Sequence, residues 1–294
     1  MSRVIVVGAG VVGLSCAVRL LEAGHRVDVV ARDLPRETTS AVAAAIWYPY
    51  RALPQDRVTA WSATTYDELA ALALGAPESG VRMVPGTEVV PAATPDPWWA
   101  SAVPTLSRVE RGWSFVAPVV EMPVYLGWLA GRVEALGGTL TRLNLRVLPD
   151  GGDLVVNCSG IGSRLLAADH GVTPVRGQVV YVDQMGLDRW WLDGDGPTYV
   201  VPREHDIVVG GTAEEGDWSR TPSAQTATAI LERASDLVPE LALARVRGHK
   251  VGLRPARPVV RLEREGRVVH CYGHGGSGVT LSWGCAAEVA TLAR

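Results

Sequence analysis

Val4-Ile5-Val6-Val7-Gly8-Ala9-Gly10-Val11-Val12-Gly13, close to the start of the chain, decides the fold. Its first four residues are apolar and β-branched, which predicts a strand buried on both faces. Glycines then fall at Gly8, Gly10 and Gly13. Leu14 to Ala23 has helical content, with apolar residues at Leu14, Val18, Leu20 and Leu21. Gly24 ends that helix at the C′ position, where φ can be positive. Arg26-Val27-Asp28-Val29-Val30 predicts a second strand, so the segment makes one βαβ unit.

In such a unit the first glycine permits the tight turn and the second lets backbone approach a pyrophosphate. The third brings helix and strand together, and the helix N-terminus offers oriented N–H groups to the phosphates. Gly8, Gly10, Val11, Val12 and Gly13 are therefore candidate ligands of a dinucleotide. The pattern also asks for an acidic residue at the end of the second strand. The chain has Ala31-Arg32-Asp33 there, with Asp33 slightly late. Either Asp33 bonds a ribose hydroxyl or Arg32 contacts the nucleotide, and both are assigned to that pocket.

Further along, Arg57 to Leu74 and Tyr125 to Leu136 carry helical spacing. Strand-like runs occur at Val81–Val84, Val179–Val182, Tyr199–Val201, Ile207–Val209 and Val268–Tyr272. Several lie close together without helices between them, which predicts an antiparallel sheet. Leu154-Val155-Val156-Asn157 is followed by Cys158-Ser159-Gly160 and resembles a strand returning to the nucleotide-binding sheet. A last helix is predicted over Thr280–Leu292. The fold class is α/β: a discontinuous Rossmann-like dinucleotide domain (1–75, 150–175 and 266–294) joined to an α+β substrate domain with a largely antiparallel sheet (76–149 and 176–265).

The chain of 294 residues carries a net charge of −3, which argues against nucleic-acid binding or a polybasic membrane surface. Lys250 is the only lysine, a bias that reflects genome composition rather than phosphate recognition. Cys16, Cys158, Cys271 and Cys285 lack metal-ligand spacing and are predicted to be small buried residues. No metal is expected. No apolar run reaches membrane-spanning length, and no signal peptide is apparent, so a cytoplasmic setting is the expectation.

A second glycine-rich segment, Gly273-His274-Gly275-Gly276-Ser277-Gly278-Val279-Thr280, leads into the last helix. A second helix N-terminus suits another electron-rich group, such as a flavin ring, and favours FAD over NAD. Here the residues carry a family likeness. The chain resembles the D-amino-acid oxidase family at Val4–Val30, Thr38-Thr39-Ser40, Val42-Ala43-Ala44, Trp61-Ser62 and Pro95-Asp96-Pro97. The likeness continues through Asn157-Cys158-Ser159-Gly160 and Arg176-Gly177-Gln178. It is strongest at Gly252-Leu253-Arg254-Pro255-Ala256-Arg257-Pro258, Tyr272–Gly278 and Trp283-Gly284-Cys285-Ala286. The resemblance implies non-covalent FAD, with Thr39, Ser40, Ala43, Ala44, Gly160, Gly275, Gly276, Ser277, Gly278, Val279 and Thr280 among its ligands. It implies oxidation of D-amino acids, by hydride transfer from Cα to flavin N5, with dioxygen as acceptor and hydrogen peroxide as product.

By the same resemblance Arg254 anchors the substrate α-carboxylate, which a guanidinium fork matches and an ammonium does not. Tyr199 shares that carboxylate, and the Gly276 carbonyl accepts from the amine. No side-chain base is required, and His274 is expected to be structural. The family's lid tyrosine has no counterpart in Asp193-Gly194-Asp195-Gly196-Pro197, so a shorter lid is expected. Trp47 and Tyr48 either line the side-chain pocket or are buried aromatics. Neutral substrates are expected, although Arg51 leaves acidic ones open. The partners are then a small amino acid and O2, with a homodimer left open. Three alternatives stand: a D-aspartate, glycine or sarcosine oxidase, an oxygen-avoiding dehydrogenase, or a non-catalytic FAD protein.

Overall fold

The computed structural model describes residues 1–294. Strand β1 (Arg3–Val7), helix α1 (Val11–Glu22) and strand β2 (Arg26–Ala31) open the chain as the glycine pattern predicts. Helix α2 (Gln55–Gly75) is followed by β3 (Val81–Val89), β4 (Ser107–Val109) and β5 (Gly112–Val120). Then come helix α3 (Met122–Ala135), β6 (Thr139–Arg142), β7 (Leu154–Asn157) and the single turn α4 (Ser163–Leu166). The rest contributes β8 (Thr173–Asp183), β9 (Trp190–Asp193), β10 (Tyr199–Pro202), β11 (Asp206–Gly210), β12 (Glu214–Glu215) and helix α5 (Ala224–Leu237). Strands β13 (Val246–Glu265) and β14 (Val268–His274) lead to helix α6 (Gly278–Leu292).

All the strands belong to one sheet. Its parallel block runs β14-β7-β1-β2-β6, so Leu154–Asn157 does return beside Val4–Val7. The division expected from sequence placed residues 76–149 on the substrate side. Strand β6 extends the parallel block beyond β2, and α3 packs on α1. The Thr139 hydroxyl donates to Asp28 Oδ1 at 2.7 Å, which ties the two strands together.

The antiparallel block runs β13-β8-β11-β10-β9, and β3, parallel to β9, adds β5 and β4 at its edge. Strand β13 joins the blocks. Residues 246–256 pair with β8, and residues 261–265 pair with β14, with a register irregularity between Ala256 and Arg261. Arg254 therefore sits where the two kinds of sheet meet, as ligand sites in twisted sheets commonly do.

The main core packs α1, α2, α3 and α6 on one face of the sheet and continues to β5 and β9. Helix α1 is buried almost all round, which explains its apolar sequence. Trp47, proposed for the pocket or for the core, belongs to the core. Its ring is fully buried, meets Tyr66, Trp99 and Phe115 edge-on, and donates its indole N–H to Ser62 O at 2.9 Å. All four cysteines are free and buried. No helix is long and apolar enough to cross a membrane.

Candidate active site

A cavity of about 640 Å³ runs along the junction of the two blocks, within the ~300–1,000 Å³ typical of ligand sites. One end is built from the glycine turn. Gly8 has φ +115°, and a Cβ there would lie 2.4 Å from the Cys158 carbonyl oxygen. A Cβ on Gly13 would lie 2.0 Å from Gly8 O, so helix and strand touch only because both residues are glycine. Helix α1 starts at Gly10 without a side-chain cap, and Val11 N–H donates to Ser40 Oγ at 3.1 Å. Gly8, Gly10, Val11, Val12, Gly13, Thr39, Ser40, Ala43, Ala44 and Gly160 all line this end. Arg32 and Asp33 line it too, joined to each other through Nε–Oδ1 (3.0 Å) and Nη2–Oδ2 (2.5 Å). That pairing holds the Asp33 carboxyl below its ordinary range.

The other end is built from β13, β10, β8 and the start of α6. The Arg254 guanidinium lies over Gly177, where a Cβ would come within 2.4 Å of its central carbon. Arg254 Nη1 donates to the Thr212 carbonyl at 2.8 Å. Tyr199 rests on Gly210, its cross-strand partner, which leaves room for the ring. Burial raises the Tyr199 hydroxyl's pKa, and the charge and hydrogen bonding of Arg254 oppose that rise. Gly276 (φ +117°) closes the group: a Cβ there would meet Arg254 Cδ at 3.2 Å and Tyr50 Cδ1 at 3.4 Å. Arg254, Tyr199 and Gly276 are thus brought together at one end of the cavity.

Tyr50 was not singled out from sequence. Alternation along the extended Tyr48-Pro49-Tyr50 would have placed it beside Tyr48, and both line the cavity. Two hydroxyls of the α6 N-terminus hold that segment. Ser277 Oγ accepts from Tyr50 N and donates to Tyr50 O, while Thr280 Oγ1 does the same for Tyr48 at 3.0 Å each. Ser277, Thr280 and Gly275 were expected among the cofactor ligands, but they do not line the cavity, whereas Gly278 and Val279 do. Ser277 and Thr280 face the backbone they clamp, and Gly275 faces Arg51 O and Ala256. His274 is buried and lines the cavity, with Nε2 3.6 Å from Cys285 Sγ.

The Tyr48 hydroxyl donates to Glu88 Oε1 at 2.6 Å, and Glu88 is buried with Oε2 unpartnered. Burial raises the Glu88 carboxyl's pKa against the Tyr48 hydrogen bond. Arg51, which left acidic substrates open, is exposed, stands 3.5 Å from Glu215, and does not line the cavity. Asp193 does line it, in a tight turn where Oδ1 accepts from Asp195 N at 3.1 Å.

The model of the DAO family, described as FAD dependent oxidoreductase, matches residues 3–292. The chain is 51% identical to a D-amino-acid oxidase of Rubrobacter xylanophilus, covering 100% of this chain and 96% of the relative. It is 42% identical to a D-amino-acid oxidase of Streptomyces coelicolor, covering 99% and 96%. Among solved structures, glycine oxidase from Geobacillus kaustophilus superposes with a TM-score of 0.79 at 20% identity, covering 100% of this chain and 95% of that one, a likeness of fold.

Proposed function

This chain belongs to the FAD dependent oxidoreductase (DAO) family, and from that premise we propose that it oxidises D-amino acids to imino acids. The observation that carries this function is the meeting of Arg254, Tyr199 and Gly276 in the wall of the same cavity that the glycine turn lines. The residues of the glycine-turn end fit FAD: α1 begins at Gly10, which has no side chain, and the small Ser40 hydroxyl on the Val11 N–H is the one side-chain hydrogen bond at that helix start. Gly8, Gly10, Val11, Val12 and Gly13 would hold the pyrophosphate, with Arg32 and Asp33 at the ribose. Ser40, Ala43, Ala44, Gly160, Gly278 and Val279 would flank the rest. When bound, FAD supplies the two-electron acceptor and passes the electrons to dioxygen, giving hydrogen peroxide.

Arg254 binds the α-carboxylate through its fork, and the Thr212 carbonyl and Gly177 fix the plane of that fork. Tyr199, an ordinary phenol of pKa about 10 that burial raises further, keeps its proton at neutral pH and donates to the carboxylate. The Gly276 carbonyl accepts from the amine. Three fixed contacts orient Cα, so the chain's contribution is positioning. The imino acid released hydrolyses in water to a 2-oxo acid and ammonia. We assign the parallel block to the cofactor and the antiparallel block to the substrate, with α3 and β6 on the cofactor side.

The test is an absorption spectrum of the holoenzyme under anaerobic conditions. Flavin bands that bleach with D-alanine or D-valine but not with the L-isomers support the proposal. A bound flavin that ignores every amino acid refutes it.

A further inference from the structure

The segment Arg176-Gly177-Gln178 of β8 has a part to play beyond supporting Arg254. Arg176 is 5% exposed, yet it points away from the core to the loop between β11 and α5. Its Nε donates to Ser219 O at 3.0 Å and its Nη2 to Thr221 O at 2.8 Å. Its Nη1 pairs with the Glu214 carboxylate, and Asp217 lies 3.6 Å from Nε. Gln178 completes the attachment: its side chain donates to Ser223 O at 2.6 Å and accepts from Ser223 N at 2.8 Å, and its backbone N–H donates to Thr212 Oγ1 at 3.0 Å. Gly216 N donates to Pro174 O at 2.9 Å. A buried arginine with its donors committed to one loop fixes that loop's position, because releasing it would leave charge and carbonyls unpaired.

What the loop presents to the cavity is unusual for a surface connection. Trp218 is 52% exposed and Arg220 is exposed, and both line the same cavity as the glycine turn. Arg220 makes no ion pair, although its charge reaches Asp33 on the other block. A flat indole and an unpaired guanidinium beside a dinucleotide cradle suit a ligand with aromatic rings and phosphates.

We propose that residues 211–223 form a fixed cover over bound FAD, in which Trp218 and Arg220 contact the dinucleotide and Arg176 is the positioning residue that holds them there. The inference concerns cofactor retention and does not depend on which amine is oxidised. Because Thr212 begins the same loop, Arg176 also orients Arg254 through the Thr212 carbonyl.

The experiment is dilution of holoenzyme and measurement of FAD dissociation by flavin fluorescence for Trp218→Ala, Trp218→Phe and Arg220→Ala. The expected result is a Kd for FAD raised about tenfold by each alanine variant, about 1.4 kcal/mol, and less by phenylalanine. Raising salt should shrink the Arg220→Ala effect and leave the Trp218→Ala effect in place. Arg176→Gln should weaken FAD and also raise KM for the amino acid. Unchanged FAD affinity in both alanine variants overturns the proposal. If substrate KM alone rises in those variants, the loop gates the substrate and is not a cofactor cover.

Discussion

Ser277 Oγ accepts the Tyr50 N–H at 2.8 Å and donates to the Tyr50 carbonyl at 2.5 Å, so one buried hydroxyl satisfies both backbone groups of a residue in the cavity wall. Thr280 repeats the arrangement for Tyr48 one turn along α6. Helix α6 thereby fixes the stretch of cavity wall that carries Tyr48 and Tyr50.

Ser277→Ala would leave the Tyr50 N–H and carbonyl without these partners in a part-buried wall. The expected cost is about 1–3 kcal/mol of folding stability, read from urea denaturation. KM for the amino acid should rise as well, because Tyr50 lies against Gly276. A variant as stable as the parent would show that water replaces the hydroxyl.

Arg254→Ala should lower kcat/KM by roughly a hundredfold or more while FAD stays bound. Arg254→Lys should restore little, since an ammonium cannot present the fork. Gly177→Ala tests the same contact from beneath, because its Cβ would fall 2.4 Å from the guanidinium carbon. Steady-state kinetics should show KM raised and the flavin spectrum retained. If Arg254→Ala turns over normally, the carboxylate anchor lies elsewhere.

D-Glutamate and D-aspartate should be poor substrates. Arg51 faces solvent and Glu215, whereas Asp193 and Tyr48, whose hydroxyl donates to the buried Glu88, stand at the cavity wall. A side-chain carboxylate would therefore meet like charge at Asp193, while the unpaired Arg220 of the same cavity is the cation proposed to serve the dinucleotide. A peroxide-coupled assay should give kcat/KM at least about tenfold below that for D-methionine, about 1.4 kcal/mol in transition-state binding. Equal values would place an unrecognised cation in the pocket.

Burial raises the Glu88 carboxyl above its unfolded value of about 4.3, so the folded protein holds that proton more tightly than the unfolded chain does. The stabilising contribution is present at pH below the unfolded value and is lost as pH rises through the raised folded value. Glu88→Gln removes this titration. On going from pH 8 to pH 5 the parent should therefore gain stability relative to Glu88→Gln, measured by denaturation at each pH. Parallel pH profiles for the two proteins would contradict it.

Much of the fold was legible because local pattern and long-range contact agree there. The run Val4–Gly13 names its own strand, turn and helix, and the tight packing at Gly8 and Gly13 is what the glycine spacing predicts. Strand β5 was hidden in the apolar run from Phe115 to Gly131, where proline and glutamate concealed the change from strand to helix at Glu121 and Met122. Helix α5 and the full length of β13 were also missed. The charged and proline-rich sequence of β13 reads as loop, because one strand lies on two different partners.

The sequence alone determined the nucleotide cradle, since its requirements are backbone requirements met within a few neighbouring residues. Family likeness, which is also sequence, marked Arg254, Tyr199 and Gly276. Tertiary structure decided what surrounds them. It moved Trp47 into an aromatic core, gave Ser277 and Thr280 to the backbone of Tyr50 and Tyr48, and brought Trp218 and Arg220 to the cavity through Arg176. Each of these depends on residues far apart in the chain. A hydroxyl or guanidinium has many partners open to it in sequence, and only packing chooses among them.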